Sequence, residues 1–134
     1  MRCRISILTE IDGEKSVVVR QGELALNGDT VDISYLSGEN SGKFVANEIA
    51  ASWDSVGEMS VHLAFNVNGE TTGMFSTNAF SGDVRVKTHS IVVESKTDVV
   101  AVEIIYTLIF DYGEADMRVK VMARLIDETD VFAS

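Results

Sequence analysis

The chain contains no proline, so none of its segments carries that residue's usual mark of an edge strand or a broken element. Cysteine occurs once, at Cys3, which excludes an intrachain disulfide and fits a reducing compartment. With no second thiol to exchange with, Cys3 reads as a small apolar filler. Cations are scarce, 11 Lys and Arg against 21 Asp and Glu, and the formal net charge of −10 opposes attraction to nucleic acid and to anionic membranes. Long apolar runs are missing too. The longest, Val99 to Phe110, is interrupted by Glu103 and falls short of the ~20 residues of a membrane-spanning helix. The opening "MRCRISILTEIDG" has no apolar stretch of signal-peptide length. The expectation is a cytoplasmic protein forming a single domain over residues 1–134, with no cofactor, no nucleic-acid partner and no membrane partner.

What the sequence does have is alternation. Apolar and polar residues exchange places with period two, and turn signals interrupt them at short intervals: "IDGE" at 11–14, "LNGD" at 26–29, "SGENSG" at 37–42, "NVNGE" at 66–70, "KTD" at 96–98 and "DYGEAD" at 111–116. This predicts strands at about 3–11, 15–27, 30–37, 58–67, 70–77, 82–95, 99–110 and 115–126. The stretch "FVANEIAASWDSVG" at 44–57 is ambiguous, because Val45, Ile49 and Trp53 recur at helical spacing. It reads as strand with a helical turn. Eight to ten antiparallel strands in a chain of this length, each with one apolar face, close most economically into a small barrel or pack as a sandwich.

An ordered set of motifs decides between them. Gly28 stands ahead of the third expected strand and Tyr35 within it. Phe75, Thr77, Phe80 and Gly82 follow, then Thr88 with Ile91, and Tyr106 with Leu108. In this order they resemble the YwiB-like bacterial family of calycin-like β-barrels, over most of the chain. Two departures stand out: "TNAFSG" lacks a proline frequent in that turn, and "WDSVG" lacks an arginine usual before the glycine. The resemblance implies an all-β, small antiparallel calycin-like barrel, of the lipocalin and fatty-acid-binding type. It implies no activity, because the family is one of unknown function.

Catalytic and metal chemistry find little support. His89 and Ser90 are adjacent, and neighbours on a strand point to opposite faces, so they do not form a base and nucleophile pair. His62 has no orienting carboxylate at a telling spacing. Two isolated histidines and one cysteine do not make a zinc set, and the acidic turns and the tail "IDETD" lack the ligand spacing of a calcium loop.

The last three expected strands are more informative. A turn at "KTD" sets Thr88 opposite Tyr106 and Val86 opposite Leu108. A loop at "YGEA" sets Tyr106 opposite Val121, Leu108 opposite Val119 and Phe110 opposite Met117, apolar beside apolar. Val84, Val86, Thr88 and Ser90 then point inward. Tyr35, Thr88, Ser90 and Tyr106 become candidate ligand-binding residues, a few hydroxyls in an apolar interior.

The outer face carries Arg85 and Arg118 around Ile109, and Lys87 and Lys120 around Thr107, with Glu103 opposite Arg124. Arg2 and Arg4 extend it if the first strand closes on the last. This basic face suits an anion, an acidic partner or the acidic side of a second copy, and Ile91, Val93, Ile105 and Ile109 beside it suit partial cover by another subunit or by the 44–57 segment. The leading expectation is a non-enzymatic binding module for a small apolar or amphipathic ligand in the barrel. The alternative is an interaction or assembly module with a self-filled barrel.

Overall fold

A computed structural model describes residues 1–57, 60–76 and 81–126. Ten strands run in chain order: β1 (Arg2–Ile11), β2 (Glu14–Asn27), β3 (Thr30–Ser37), β4 (Asn40–Ala46), β5 (Ala50–Val56), β6 (Ser60–Asn66), β7 (Thr71–Ser76), β8 (Ser81–Ser95), β9 (Val99–Phe110) and β10 (Gly113–Leu125). Each pairs antiparallel with its neighbours, and β1 pairs with β10 to close the barrel. Thr77, Phe80 and the acidic tail at 127–130 lie outside the described residues, as do 58–59 and 77 of the expected strands.

The segment at 44–57 holds no helical turn. It forms the end of β4 and all of β5, joined where the Asn47 side-chain oxygen accepts hydrogen bonds from the Ile49 and Ala50 amides at 2.8 and 2.9 Å. An asparagine capping its own turn in this way reverses the chain as tightly as a helical turn would. Val45 and Trp53 therefore face opposite sides of the wall, Phe44 pairing with Trp53 inside while Val45 pairs with Ser52.

Local chemistry places the hairpins. Between β1 and β2, Asp12 and Gly13 both have positive φ, 47° and 92°, which gives the two-residue turn whose twist matches the strands it joins. Inside the barrel, Ile5, Leu24, Ile33, Val61, Phe65, Val86, Val102, Ile104 and Val119 are buried almost completely. Full burial of side chains of this size is worth about 1.5–3 kcal/mol each. Rings occupy the middle, with Phe65 set edge-on to Tyr106 at 4.8 Å between centroids and Phe44 edge-on to Trp53.

Two registers correct the sequence reading. First, β9 and β10 are joined by a tighter turn, Asp111–Tyr112, so Phe110 pairs with Gly113. Tyr106 then faces Met117, Leu108 faces Ala115 and Ile104 faces Val119, four positions from the expected pairing. An even shift leaves every side chain on its expected face but rebuilds the outer rows. The expected rows of like charge do not form: Arg85 and Glu114 flank Ile109, Lys87 and Asp116 flank Thr107, and Glu103 stands opposite Lys120 rather than Arg124.

Second, β8 carries a bulge between Thr88 and Ser90. Val84, Val86 and Thr88 point inward as expected, but beyond the bulge Ser90 pairs with Ile105 on the outside while Ile91 and Val93 pair with Ile104 and Val102 on the inside. One extra residue on one strand reverses the face of everything after it. Ser90 is therefore not an interior residue, and Ile91 and Val93 do not belong to the outer surface.

Along β2 the wall is incomplete. β2 pairs with β1 along Glu14–Glu23 but with β3 only along Gly22–Asn27. Its first half stands with one edge unpaired, and Val17, Val18 and Val19 are exposed there.

Candidate ligand-binding site

The opening beside that free edge leads into a pocket of about 230 Å³ at the barrel mouth, the end where the β1–β2, β3–β4 and β5–β6 turns lie. Its apolar lining is Ile7, Ile11, Val18, Trp53 and Val56. Its polar lining is Thr9, Ser16, Tyr35, Asn40 and Ser55, and its one charged residue is Arg20.

Backbone packing sets Tyr35 in place. It pairs with Gly22 on one side and Gly42 on the other, so neither neighbour has a side chain to hold its ring off the wall. The ring lies over Gly42, where a Cβ would overlap Cε1 and Cζ. Arg20 pairs with the fully buried Ile5 and so occupies an inner-face position. Its Nε is buried without a hydrogen-bond partner, and its Nη1 donates to the Val19 carbonyl at 3.0 Å.

The other expected interior residues lie deeper and are packed. Thr88 is inside and buried, and its Oγ1 accepts a hydrogen bond from the Asn66 amide at 3.2 Å. There β6 has parted from β7, with which it pairs only over Ser60–Leu63, so the hydroxyl satisfies an amide the ladder leaves open. Tyr106 is 1% exposed, and its hydroxyl has no partner. Burial pushes its pKa above the ordinary tyrosine value.

Two outcomes are expected for Tyr106→Phe. Removing an unpaired buried hydroxyl breaks no bond, so the variant is expected to gain about 1 kcal/mol in urea unfolding at neutral pH. In the native protein the phenol stays neutral to higher pH in the fold than in the unfolded chain. Its contribution is therefore intact below pH 10.0, the ordinary tyrosine value, and declines as pH rises beyond it. The variant is expected to lack that part of the alkaline loss.

On the outer wall, the residues of the expected basic face are placed one by one. Arg118 is committed: its Nη2 and Nε reach Glu103 at 2.7 and 3.1 Å and its Nη1 reaches Glu10 at 3.4 Å, which raises its pKa. Arg85 pairs with Glu70 at 3.7 Å. Lys120 faces Glu103 and Leu8 across its two ladders. Lys87 stands beside Thr107, and Arg2 opposite Glu23. Arg4 pairs with Arg124 and Gln21, and lines a shallow outer hollow that Arg20 also touches. The structure thus disperses most of these cations among carboxylates and leaves Arg4 and Arg20 at the gap in the wall.

A contact unforeseen in the sequence joins three strands on the same outer side. His89 Nε2 lies 2.8 Å from Thr107 Oγ1, and Thr107 donates to Asp116 at 3.2 Å. A hydroxyl that gives its proton to the carboxylate can only accept from the imidazole. The histidine is then a donor rather than a base, and Thr107 is 6% exposed. This is a structural tie across the bulge. Among the described residues no group of three His, Cys, Asp or Glu side chains is placed to hold a metal ion, and no helix is long and apolar enough to cross a membrane.

A wider depression of about 790 Å³ lies on the wall around β7, with Asp83, Asp111 and Arg85 on its lining. Its charges are of both signs and it is open to solvent, whereas the mouth pocket has a single sign and converging hydroxyls.

Ten antiparallel strands closed on themselves, with a part-polar pocket at the mouth, define a small all-β barrel. Residues 3–121 match the family described as "Domain of unknown function (DUF1934)", and the chain belongs to that family. Among solved structures it is similar to the ywiB protein from Bacillus subtilis, at 13% identity and a TM-score of 0.68, with 94% of this chain and 91% of that one covered. The expected YwiB-like kinship and barrel fold are therefore shown. No curated protein matches the chain.

Proposed function

We propose that the chain is a binding module, without chemistry of its own, for a small amphipathic molecule held at the barrel mouth. One observation carries this: the mouth pocket brings Ile7, Val18 and Trp53 together with Thr9, Tyr35 and Ser55, an apolar cradle with a few converging polar groups. The deeper interior supports it by contrast, because Thr88 is bonded to the backbone and Tyr106 is packed against Phe65. The sole thiol, Cys3, is fully buried, which is consistent with a cytoplasmic setting but does not require one. Native mass spectrometry of freshly purified protein is expected to show a non-covalent small-molecule adduct that leaves on denaturation. A bare mass, together with unchanged Trp53 fluorescence on adding small amphiphiles, would contradict the reading.

A second reading, assembly through β2, has its own observation in the unpaired edge at Glu14–Gln21. Antiparallel pairing of two copies about Val17 would set Glu14 of each opposite Arg20 of the other, and such cross-strand charge pairs are worth roughly 0.2–1 kcal/mol. Sedimentation over a range of concentrations tests it: a dimer lost on Val17→Lys is expected, and a monomer throughout contradicts it. The two readings compete for the same arginine.

A further inference from the structure

We infer that the polar end of the ligand is an anion, a carboxylate or a group of similar size, and that Arg20 receives it. This rests on the mouth-pocket reading and adds the ligand's charge, size and point of attachment.

The mouth pocket is anomalous in charge. In a chain of net charge −10, the one charged residue on the mouth pocket is a cation. Arg118 is paired with Glu103 and Glu10, and Arg85 with Glu70. Arg20 has no carboxylate partner among the described residues, although acidic side chains outnumber basic ones almost two to one. Its buried Nε lacks any partner, and the one bond its head makes is to the neighbouring carbonyl. A guanidinium offers five donors in a planar fork matched to a carboxylate, so most of its capacity is unspent.

Placement makes this more than a solvated surface arginine. Arg20 sits at an inner-face position of β2, where the wall toward β3 is open, and borders both the pocket and the outer hollow lined by Arg4. An incoming anion meets two arginines, Arg4 and Arg20, at the gap, an arrangement that steers and then holds negative charge. Asn40 and Ser55 on the same lining can donate to further oxygen atoms.

Volume limits the apolar part. At ~30 Å³ for each non-hydrogen atom, as in liquid water, 230 Å³ holds about eight atoms. That describes a short aliphatic or single-ring acid and excludes full enclosure of a long-chain lipid.

The test uses the chain's one tryptophan, Trp53, which lines the pocket and reports occupancy by its fluorescence. The whole protein is titrated with sodium hexanoate, 1-hexanol and hexylamine at low salt, as are Arg20→Gln and Arg20→Lys, each checked for an unchanged melting temperature. Hexanoate is expected to bind the native protein at least tenfold more tightly than hexanol, with hexylamine weakest. Arg20→Gln is expected to bring hexanoate down to the level of hexanol, and Arg20→Lys to restore part of the preference. Hexanol binding as tightly as hexanoate, or a preference that survives Arg20→Gln, overturns the anion assignment while leaving the pocket in place. Failure of all three probes to bind overturns the pocket as well.

Discussion

Deleting Val92 is expected to destabilise the barrel by at least about 3 kcal/mol, whereas deleting His89 from the same strand is expected to leave it folded with a loss of about 1 kcal/mol. The difference follows from the bulge. Thr88 is opposite Tyr106 and Ser90 opposite Ile105, so His89 is the residue with no counterpart on β9. Without it the two halves of β8 join in continuous register, every inward residue stays inward, and the contact to Thr107 is lost. Without Val92 there are two ways to re-pair. Either Val93 moves outside and Glu94 takes its inward place opposite Val102, or the bulge is absorbed and Ser90 replaces Ile91 inside. The first turns a carboxylate with no partner into the half-buried, core-facing place of Val93 and the second removes an isoleucine from the core. Urea unfolding and amide spectra of the two variants check this, and equal stabilities would contradict the register.

Gly22→Ala is expected to cost about 3 kcal/mol, at the upper end of what overpacking usually costs. A Cβ at this position meets the Ser34 carbonyl and Ile5 Cδ1, and a backbone oxygen held in a ladder cannot turn away. Gly42→Ala makes a useful comparison. Its Cβ meets the Tyr35 ring, a side chain that can swing, so the expected loss is smaller and falls on the pocket. Thermal melts of both, with hexanoate binding measured on Gly42→Ala, separate the two effects. A Gly22→Ala variant as stable as the native chain would show that β2 and β3 are not drawn together there.

The alternation of apolar residues was enough to read antiparallel strands that form a barrel or a sandwich, and the family resemblance selected the barrel. On the last three strands every residue expected inside except Ser90 faces inward, because inward or outward depends only on parity. Row-by-row contacts depend on the turns. The β9–β10 turn proved to be two residues, Asp111 and Tyr112, so the expected rows of like charge dissolved while the core face survived. The bulge leaves no trace in composition, since "KTHSI" reads equally well as a regular strand. It moved Ser90 outside and Ile91 inside.

Of the candidate interior residues, Tyr35 lines the pocket, Thr88 and Tyr106 belong to the packed core, and Ser90 is outside. Arg20 was missed as an interior residue although a signal existed. Ser16, Val18, Arg20, Gly22 and Leu24 share one parity, and a lone arginine among them is conspicuous once that face is known to be inner. The partial pairing of β2 with β3, which opens the wall beside it, depends on strand lengths that alternation cannot reveal.

In the proposed function the mouth, rather than the deep interior or the outer wall, is where this barrel meets its ligand. Backbone amide spectra of the labelled protein during a hexanoate titration test it most directly. Shifts are expected to concentrate at Arg20, Tyr35, Trp53 and Ser55 and to saturate together, with Thr88 and Tyr106 little changed. Shifts centred on His62 and Arg85 in the outer depression, or on Tyr106 in the core, would contradict it.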